Sequence, residues 1–259
     1  MTGKWLTRAP LSESAALLFC LPYSGCGASM YRSWPRFVGG IELCPVQLPG
    51  RENRMREPVP ETYEELAGAV AAALRPELDR PYGFFGHCGS ALLAYQTAVE
   101  LQRTGARRPA HVFVSSQVAP DEGPYGRFLG MDRDALRTEV VELMRRTGGT
   151  PVPDLVELCL DVLTTDVAVN RRYRPATRTV LDAPLTTIAW TGDAEVEPWR
   201  TEGWERYGTP SRRVVLDGGH HAFLDAPAPL LDLFVTGLVA GSELENAGLV
   251  AGSERETIG

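Results

Sequence analysis

A single thiol stands where an apolar strand turns sharply into a helix. In YGFFGHCGSALL (residues 82–93), residues 82–85 read as a buried strand. Gly86-His87-Cys88-Gly89-Ser90 reads as a tight turn, and the residues from Ala91 as a helix. This is the layout of a nucleophile elbow, whose usual form is Gly-x-Ser-x-Gly. The nucleophile of such a turn holds a strained backbone, and small neighbours keep the adjoining strand and helix clear of it. At a helix N-terminus the dipole also favours a thiolate over a thiol. Cys20, Cys44 and Cys159 lie inside apolar runs and read as small buried hydrophobes. Cys26 lies in a Gly-rich loop with no base assigned to it.

A nucleophile needs a base, and the base needs an orienting group. His87 sits inside the elbow, pointing away from Cys88, and His111 begins a strand, where a structural role is expected. GGHH (residues 218–221) follows the last strand, and its glycines let a loop fold an imidazole back over the strand ends. His220 is the expected base and His221 the alternative. Nucleophile, acid and histidine follow in that order along a chain of this architecture, so the acid is sought after the preceding strand. There TGDAE (residues 191–195) offers both Asp193 and Glu195. An oxyanion hole takes one backbone N–H from the residue after the nucleophile, here Gly89, and one from a loop after an earlier strand. PYSGCGA (residues 22–28) is such a loop, with the Ser24 N–H as its candidate donor. The loop lacks both GxGxxG and GxxxxGK, which leaves a phosphate-binding reading weak.

The elements that must position these groups alternate. Short apolar runs at 15–21, 41–46, 82–85, 111–115, 185–190 and 213–216 read as strands, with Pro45 placing the second near an edge or a strand end. Residues 62–74, 91–101 and 227–239 have apolar residues at helical spacing. Strands separated by helices predict an α/β fold, a mostly parallel sheet covered on both faces. From 120 to about 175 the pattern is helical only, at 132–146 and 154–173 with a break at GGTP, and reads as a lid inserted between two strands. One domain is expected over 1–240, followed by a flexible small-residue tail over 241–259.

Composition narrows the partners. The 259 residues carry 26 Lys and Arg against 33 Asp and Glu, a net charge of −7 that argues against nucleic-acid binding. No apolar run approaches the length of about eighteen residues that spans a bilayer, and the N-terminus has no signal-peptide pattern. Five scattered cysteines without a CxxC fit neither a disulfide framework nor a zinc site, so a reducing cytoplasm and no bound metal are expected.

The chain resembles the type II thioesterases, discrete α/β-hydrolases that accompany polyketide synthases and nonribosomal peptide synthetases. The resemblance is carried by CLPYSGCGAS (20–29), VQLPGRENR (46–54), FGHCGSA (85–91), FVSS (113–116), GGTP (148–151) and GGHHAFL (218–224), with QLPGRE the most specific of them. It spans about residues 15 to 235 and implies the α/β-hydrolase fold with a helical lid. It places Cys88 on the family's serine, Asp193 on its acid in preference to Glu195, His220 on its histidine, and Ser24 and Gly89 on its oxyanion hole. Three residues depart from the pattern: Cys88 replaces serine, Ser90 stands where the elbow ends in glycine, and Trp190 occupies a position usually glycine, where it would crowd the acid's loop.

The resemblance implies acyl or peptidyl carrier proteins as partners of a monomeric enzyme, which needs no cofactor of its own because the substrate carries phosphopantetheine. The implied activity is hydrolysis or off-loading of acyl or aminoacyl thioesters through an acyl-Cys88 intermediate. Because that intermediate is itself a thioester, acylation is close to thermoneutral, and transfer to a second carrier, an amine or a hydroxyl is the alternative outcome. A catalytically inactive carrier-binding module and a hydrolase of free small esters are further alternatives.

Overall fold

The computed structural model describes the backbone of residues 4–256 and the side chains of residues 4–242. Seven strands form one sheet: β1 (Ala16–Cys20), β2 (Phe37–Val38), β3 (Ile41–Pro45), β4 (Tyr82–His87), β5 (His111–Ser115), β6 (Leu185–Trp190) and β7 (Ser211–Leu216). Their order is β2-β3-β1-β4-β5-β6-β7. Every pairing is parallel except that of β2 with β3. With β1, β4, β5 and β6 wholly buried, side chains alternate between two cores rather than between core and water, as a sheet covered on both faces requires. Leu17, Phe19, Phe84 and Val112 join one core with α1 (Tyr63–Leu74) and α2 (Gly89–Arg103). Leu18, Phe85, Phe113 and Ile188 join the other with Leu230, Phe234 and Leu238 of α5 (Ala228–Glu256).

Local signals in the chain account for where these elements start. Thr62 caps α1, its hydroxyl accepting from the Glu65 N–H at 3.2 Å. Asp132 does the same for α3 (Arg133–Arg146), accepting from Ala135 N–H at 2.9 Å. Proline opens α4 (Pro153–Arg172), where its missing N–H costs nothing. The pair α3 and α4 is the helical insertion between β5 and β6, broken at Gly148 and Gly149 as expected.

The sequence reading missed β2, a two-residue antiparallel edge strand. Gly39 and Gly40, both at positive φ, make the hairpin to β3, and a Gly-Gly pair is a recognised hairpin signal. Two residues are too few to show a period. Pro45 ends β3, in keeping with its expected place at a strand end. The tail expected over 241–259 falls on residues whose side chains from 243, and whose backbone from 257, lie outside the described residues. Among the described residues no helix is long and apolar enough to cross a membrane.

Candidate active site

The parallel register sets the carboxyl ends of β1, β4, β6 and β7 along one edge of the sheet, where the loops that follow them meet. Cys88 follows β4 directly, at φ 56° and ψ −128°, and caps α2. The Cys88 N–H donates to Ser115 O at 2.8 Å, tying the bend to the end of β5. Such a backbone is strained for a non-glycine residue and persists because its surroundings over-determine it. A Cβ on Gly86 would stand 2.1 Å from Ser90 O, so the strand can enter this bend only as glycine. Ser90, the departure at the end of the elbow, fits by turning inward. Its Oγ accepts from His87 N–H and donates to His87 O, both at 3.0 Å, so the hydroxyl staples the turn that a glycine would leave open.

His220 lies after β7, 6% exposed, with Nδ1 against both Asp193 oxygens at 3.1 and 3.0 Å. Asp193 itself is fixed by the N–H groups of Glu195 and Val196, which donate to its Oδ1 at 2.8 and 2.9 Å. Burial pushes the Asp193 carboxyl up, but its bonds with His220 and Val196 outweigh that and hold it below the ordinary range. For His220, burial disfavours the imidazolium. The Asp193 hydrogen bond, the Cys88 thiol and the Glu195 charge together prevail, raising it to about 10. Asp193 rather than Glu195 therefore holds Nδ1.

Trp190 does not crowd the acid. It is fully buried, and its Nε1–H donates to Ser115 Oγ at 3.0 Å, the same oxygen that meets His87 Nδ1 at 2.9 Å. The space it takes is conceded by Gly218. At φ +138°, a Cβ there would meet Ala222 Cβ at 2.6 Å and the Trp190 ring at 3.2 Å. Gly218 O in turn accepts from Gly192 N–H at 2.8 Å, joining the histidine loop to the acid loop.

The Gly89 N–H is the first of α2, where helix geometry leaves it without an intrahelical acceptor. The Ser24 loop packs directly on it: a Cβ built on Gly89 would lie 2.8 Å from Ser24 Oγ. QLPGRE is what shapes that loop. Gln47 Oε1 accepts from Ala28 N–H at 2.8 Å, Arg51 donates to Cys26 O at 3.0 Å, and Glu52 Oε1 accepts from Ser29 N–H at 3.2 Å.

The remaining histidines and cysteines divide as their surroundings dictate. His111 spends both ring nitrogens on structure, Nδ1 with Gly237 O at 3.1 Å and Nε2 with Thr186 Oγ1 at 2.7 Å. His87 is buried and stacks on Phe223 with ring centroids 4.0 Å apart. It does not point clear of the site, since its ring also lies 4.7 Å from that of His220. Burial pushes the Cys26 and Cys44 thiols up to about 12, and Cys20 well above its usual range. Two groups were not foreseen in their positions. Tyr23 OH and Glu195 Oε2 each lie 3.4 Å from His220 Nε2, the nitrogen that Asp193 leaves free. Tyr23 precedes Ser24 in the expected loop, but nothing in its spacing announces a partner 197 residues away.

Comparison with known proteins identifies the family. The model of the thioesterase domain family matches residues 16–234. The gramicidin S biosynthesis protein GrsT of Aneurinibacillus migulanus is 30% identical over 230 residues, 86% of this chain and 88% of that protein. Thioesterase PikA5 of Streptomyces venezuelae is 31% identical over 228 residues, 85% and 80% of the two. Among solved structures, the RedJ thioesterase of the prodiginine biosynthetic pathway in Streptomyces coelicolor superposes with a TM-score of 0.73 at 36% identity, covering 89% of this chain and 96% of that one. With its sheet, its elbow and 219 consecutive residues under one family model, this chain belongs to the thioesterase domain family and has the α/β-hydrolase fold.

Proposed function

We propose that the protein cleaves acyl or aminoacyl thioesters borne on the phosphopantetheine of carrier proteins in a polyketide or nonribosomal peptide pathway, through an acyl-Cys88 intermediate. The observation that carries this reading is the thiol at the strained elbow, on the same strand-end edge of the sheet as a histidine that Asp193 grips through both oxygens. The carrier-bound substrate is supported by relatives named for gramicidin S and prodiginine biosynthesis.

The Cys88 thiolate attacks the thioester carbonyl, and the resulting oxyanion accepts from the Gly89 and Ser24 N–H groups, each worth about 3 kcal/mol by comparison with other oxyanion donors. As the carbon–sulfur bond to pantetheine breaks, His220 Nε2–H gives its proton to the departing thiolate. One thioester has replaced another, and little free energy has been spent. Acylation also removes the sulfur charge that helped hold His220 protonated, so the neutral imidazole that remains can take a proton from the incoming acceptor. Water as acceptor gives a free acid.

A second outcome is favoured by the sulfur itself. An acyl-cysteine keeps the energy of a thioester, whereas an acyl-serine has lost it, so Cys88 can pass its load to another carrier thiol or to an amine. Helices α3 and α4 stand over the loops of the site and serve as its lid, screening the acyl group from water.

The test is intact-mass spectrometry after incubation with acyl-carrier proteins, with and without a second unloaded carrier. An acyl adduct on the native chain and none on Cys88→Ala is expected. An adduct that survives Cys88→Ala removes Cys88 from the mechanism. An unreactive Cys88, toward both carriers and iodoacetamide, would make the chain a carrier-binding module instead.

A further inference from the structure

No step above uses Tyr63, yet its hydroxyl is a buried donor beside the elbow. The residue opens α1 directly after the capping Thr62 and is 6% exposed. Its ring meets that of Tyr173, which caps the end of α4, edge-on with centroids 5.2 Å apart, so two helices fix its direction. Among the described residues the phenol oxygen has no hydrogen-bond partner, which is rare for a buried hydroxyl. A Cβ built on Gly89 would lie 3.0 Å from that oxygen, so glycine at this position lets the phenol come up against the main chain. A Cβ stands about 2.5 Å from its own nitrogen, which places the phenol oxygen within about 5.5 Å of the Gly89 nitrogen. Two donors bonded to one oxygen at about 2.8 Å stand roughly 4–5 Å apart, so the spacing fits one acceptor shared by both. Burial, with the charges of Asp166 and Cys88, pushes the phenol well above its usual range against the opposing charge of Arg51. The hydroxyl therefore keeps its proton through neutral pH and serves as a donor. It borders a cleft of about 20 Å³ with Ser24, Ser90, the Arg51–Asp166 pair and apolar side chains, room for one water-sized group and not for a chain.

We propose that Tyr63 is a catalytic residue whose O–H adds a side-chain donor to the two N–H groups of the oxyanion hole. The inference rests on the acyl-cysteine reading above and deepens it. The carbonyl oxygen gains charge as the bond from Cys88 sulfur to carbon forms, and loses it as the bond to pantetheine breaks. The Tyr63 proton stays on Tyr63 throughout. A ground-state carbonyl is a weaker acceptor than the oxyanion, so the bond strengthens in the transition state, where a donor raises the rate. The ring held against Tyr173 is already in place, and a hydroxyl without a protein partner gives up none when the oxyanion forms.

The test is Tyr63→Phe, which keeps the ring and removes only the oxygen. Acylation of Cys88 by acetyl- and isobutyryl-pantetheine is followed in single turnovers by intact mass, in parallel with alkylation of the same thiol by iodoacetamide. Alkylation displaces iodide from a saturated carbon and forms no oxyanion, so it reports the thiolate alone. In Tyr63→Phe the maximal acylation rate is expected to fall about tenfold to a hundredfold, the range of one charge-assisted hydrogen bond. The half-saturating thioester concentration and the alkylation rate are expected to stay as they are. An unchanged maximal rate, whatever the half-saturating concentration, overturns the proposal. A fall shared equally by acylation and alkylation overturns it too, and makes Tyr63 a support of the thiol or of the packing around it. A native thiol that iodoacetamide alkylates but neither thioester labels overturns the acyl-cysteine reading, and this one with it.

Discussion

Arg51 and Asp166 form a two-pronged ion pair that ties the loop after β3 to α4. Arg51 Nη1 donates to Asp166 Oδ2 at 2.9 Å and Nη2 to Oδ1 at 2.8 Å, with the two side chains 3% and 14% exposed. The same carboxylate accepts from Gly25 N–H at 2.8 Å, one residue beyond Ser24. One pair therefore fixes both the inserted helix and the loop proposed to supply half of the oxyanion hole.

Arg51→Ala leaves Asp166 buried without a counter-charge, an arrangement that costs about 3–5 kcal/mol. A loss of that order is expected in chemical denaturation. Arg51→Ala/Asp166→Asn is expected to regain part of it, because the stranded charge is gone. A full loss in the double variant would assign the cost to packing rather than to charge.

Replacing Cys88 by serine separates the two fates of the acyl group. The acyl-serine has lost the thioester energy needed for transfer, so Cys88→Ser is expected to release more free acid per acyl group moved to a second carrier. Chromatography of both products from one reaction measures the ratio. An unchanged ratio would count against the role given to sulfur.

Two of the buried histidines, His111 and His87, make stability depend on acid. Burial, with the charge of Arg212, pushes His111 down to about 3. The unfolded chain, with histidine near the ordinary 6.5, therefore binds the extra proton first. Stability falls as pH drops below about 6.5 and continues to fall toward 3, by up to about 1.4 kcal/mol per pH unit for this group. Burial drives His87 in the same direction. Urea midpoints measured between pH 7 and pH 5 are expected to decline, and His111→Gln to flatten the decline. A midpoint that stays level in the native chain would contradict the burial of these rings.

How much of this could be read from residue order depends on distance along the chain. The elbow is local, so strand, turn and helix are legible in a dozen residues, and the glycines before His220 mark its loop. The turn by itself leaves Asp193 and Glu195 open and the family pattern prefers Asp193; in space its oxygen pair meets Nδ1 while the Glu195 carboxylate meets Nε2. Trp190 looks obstructive in sequence because its compensation, Gly218, lies on the neighbouring loop. QLPGRE is conspicuous as a string, but its work is done by hydrogen bonds to residues 26–29, which no spacing rule foretells. Tyr23 is hidden for the same reason: an aromatic residue after a strand is ordinary until a histidine from the far end of the chain arrives beside it.

Asp193 sets the pH at which acylation can run. His220 must be protonated to give Nε2–H to the leaving sulfur, and its ordinary 6.5 is raised to about 10 with the Asp193 hydrogen bond as the leading upward cause. The native enzyme is therefore expected to keep its acylation rate through neutral pH and to lose it only as pH approaches 10. In Asp193→Asn the burial of His220 remains while its main support is gone, so the alkaline limb moves to lower pH. The asparagine amide also fails to hold the imidazole tautomer, which lowers the plateau; the corresponding change in a serine triad costs about 10⁴. Single-turnover acylation followed across pH 6 to 11 separates the two effects, the limb from the plateau. A lowered plateau with an unmoved limb would leave Asp193 an orienting group only, and would give the high basicity of His220 to the sulfur and Glu195.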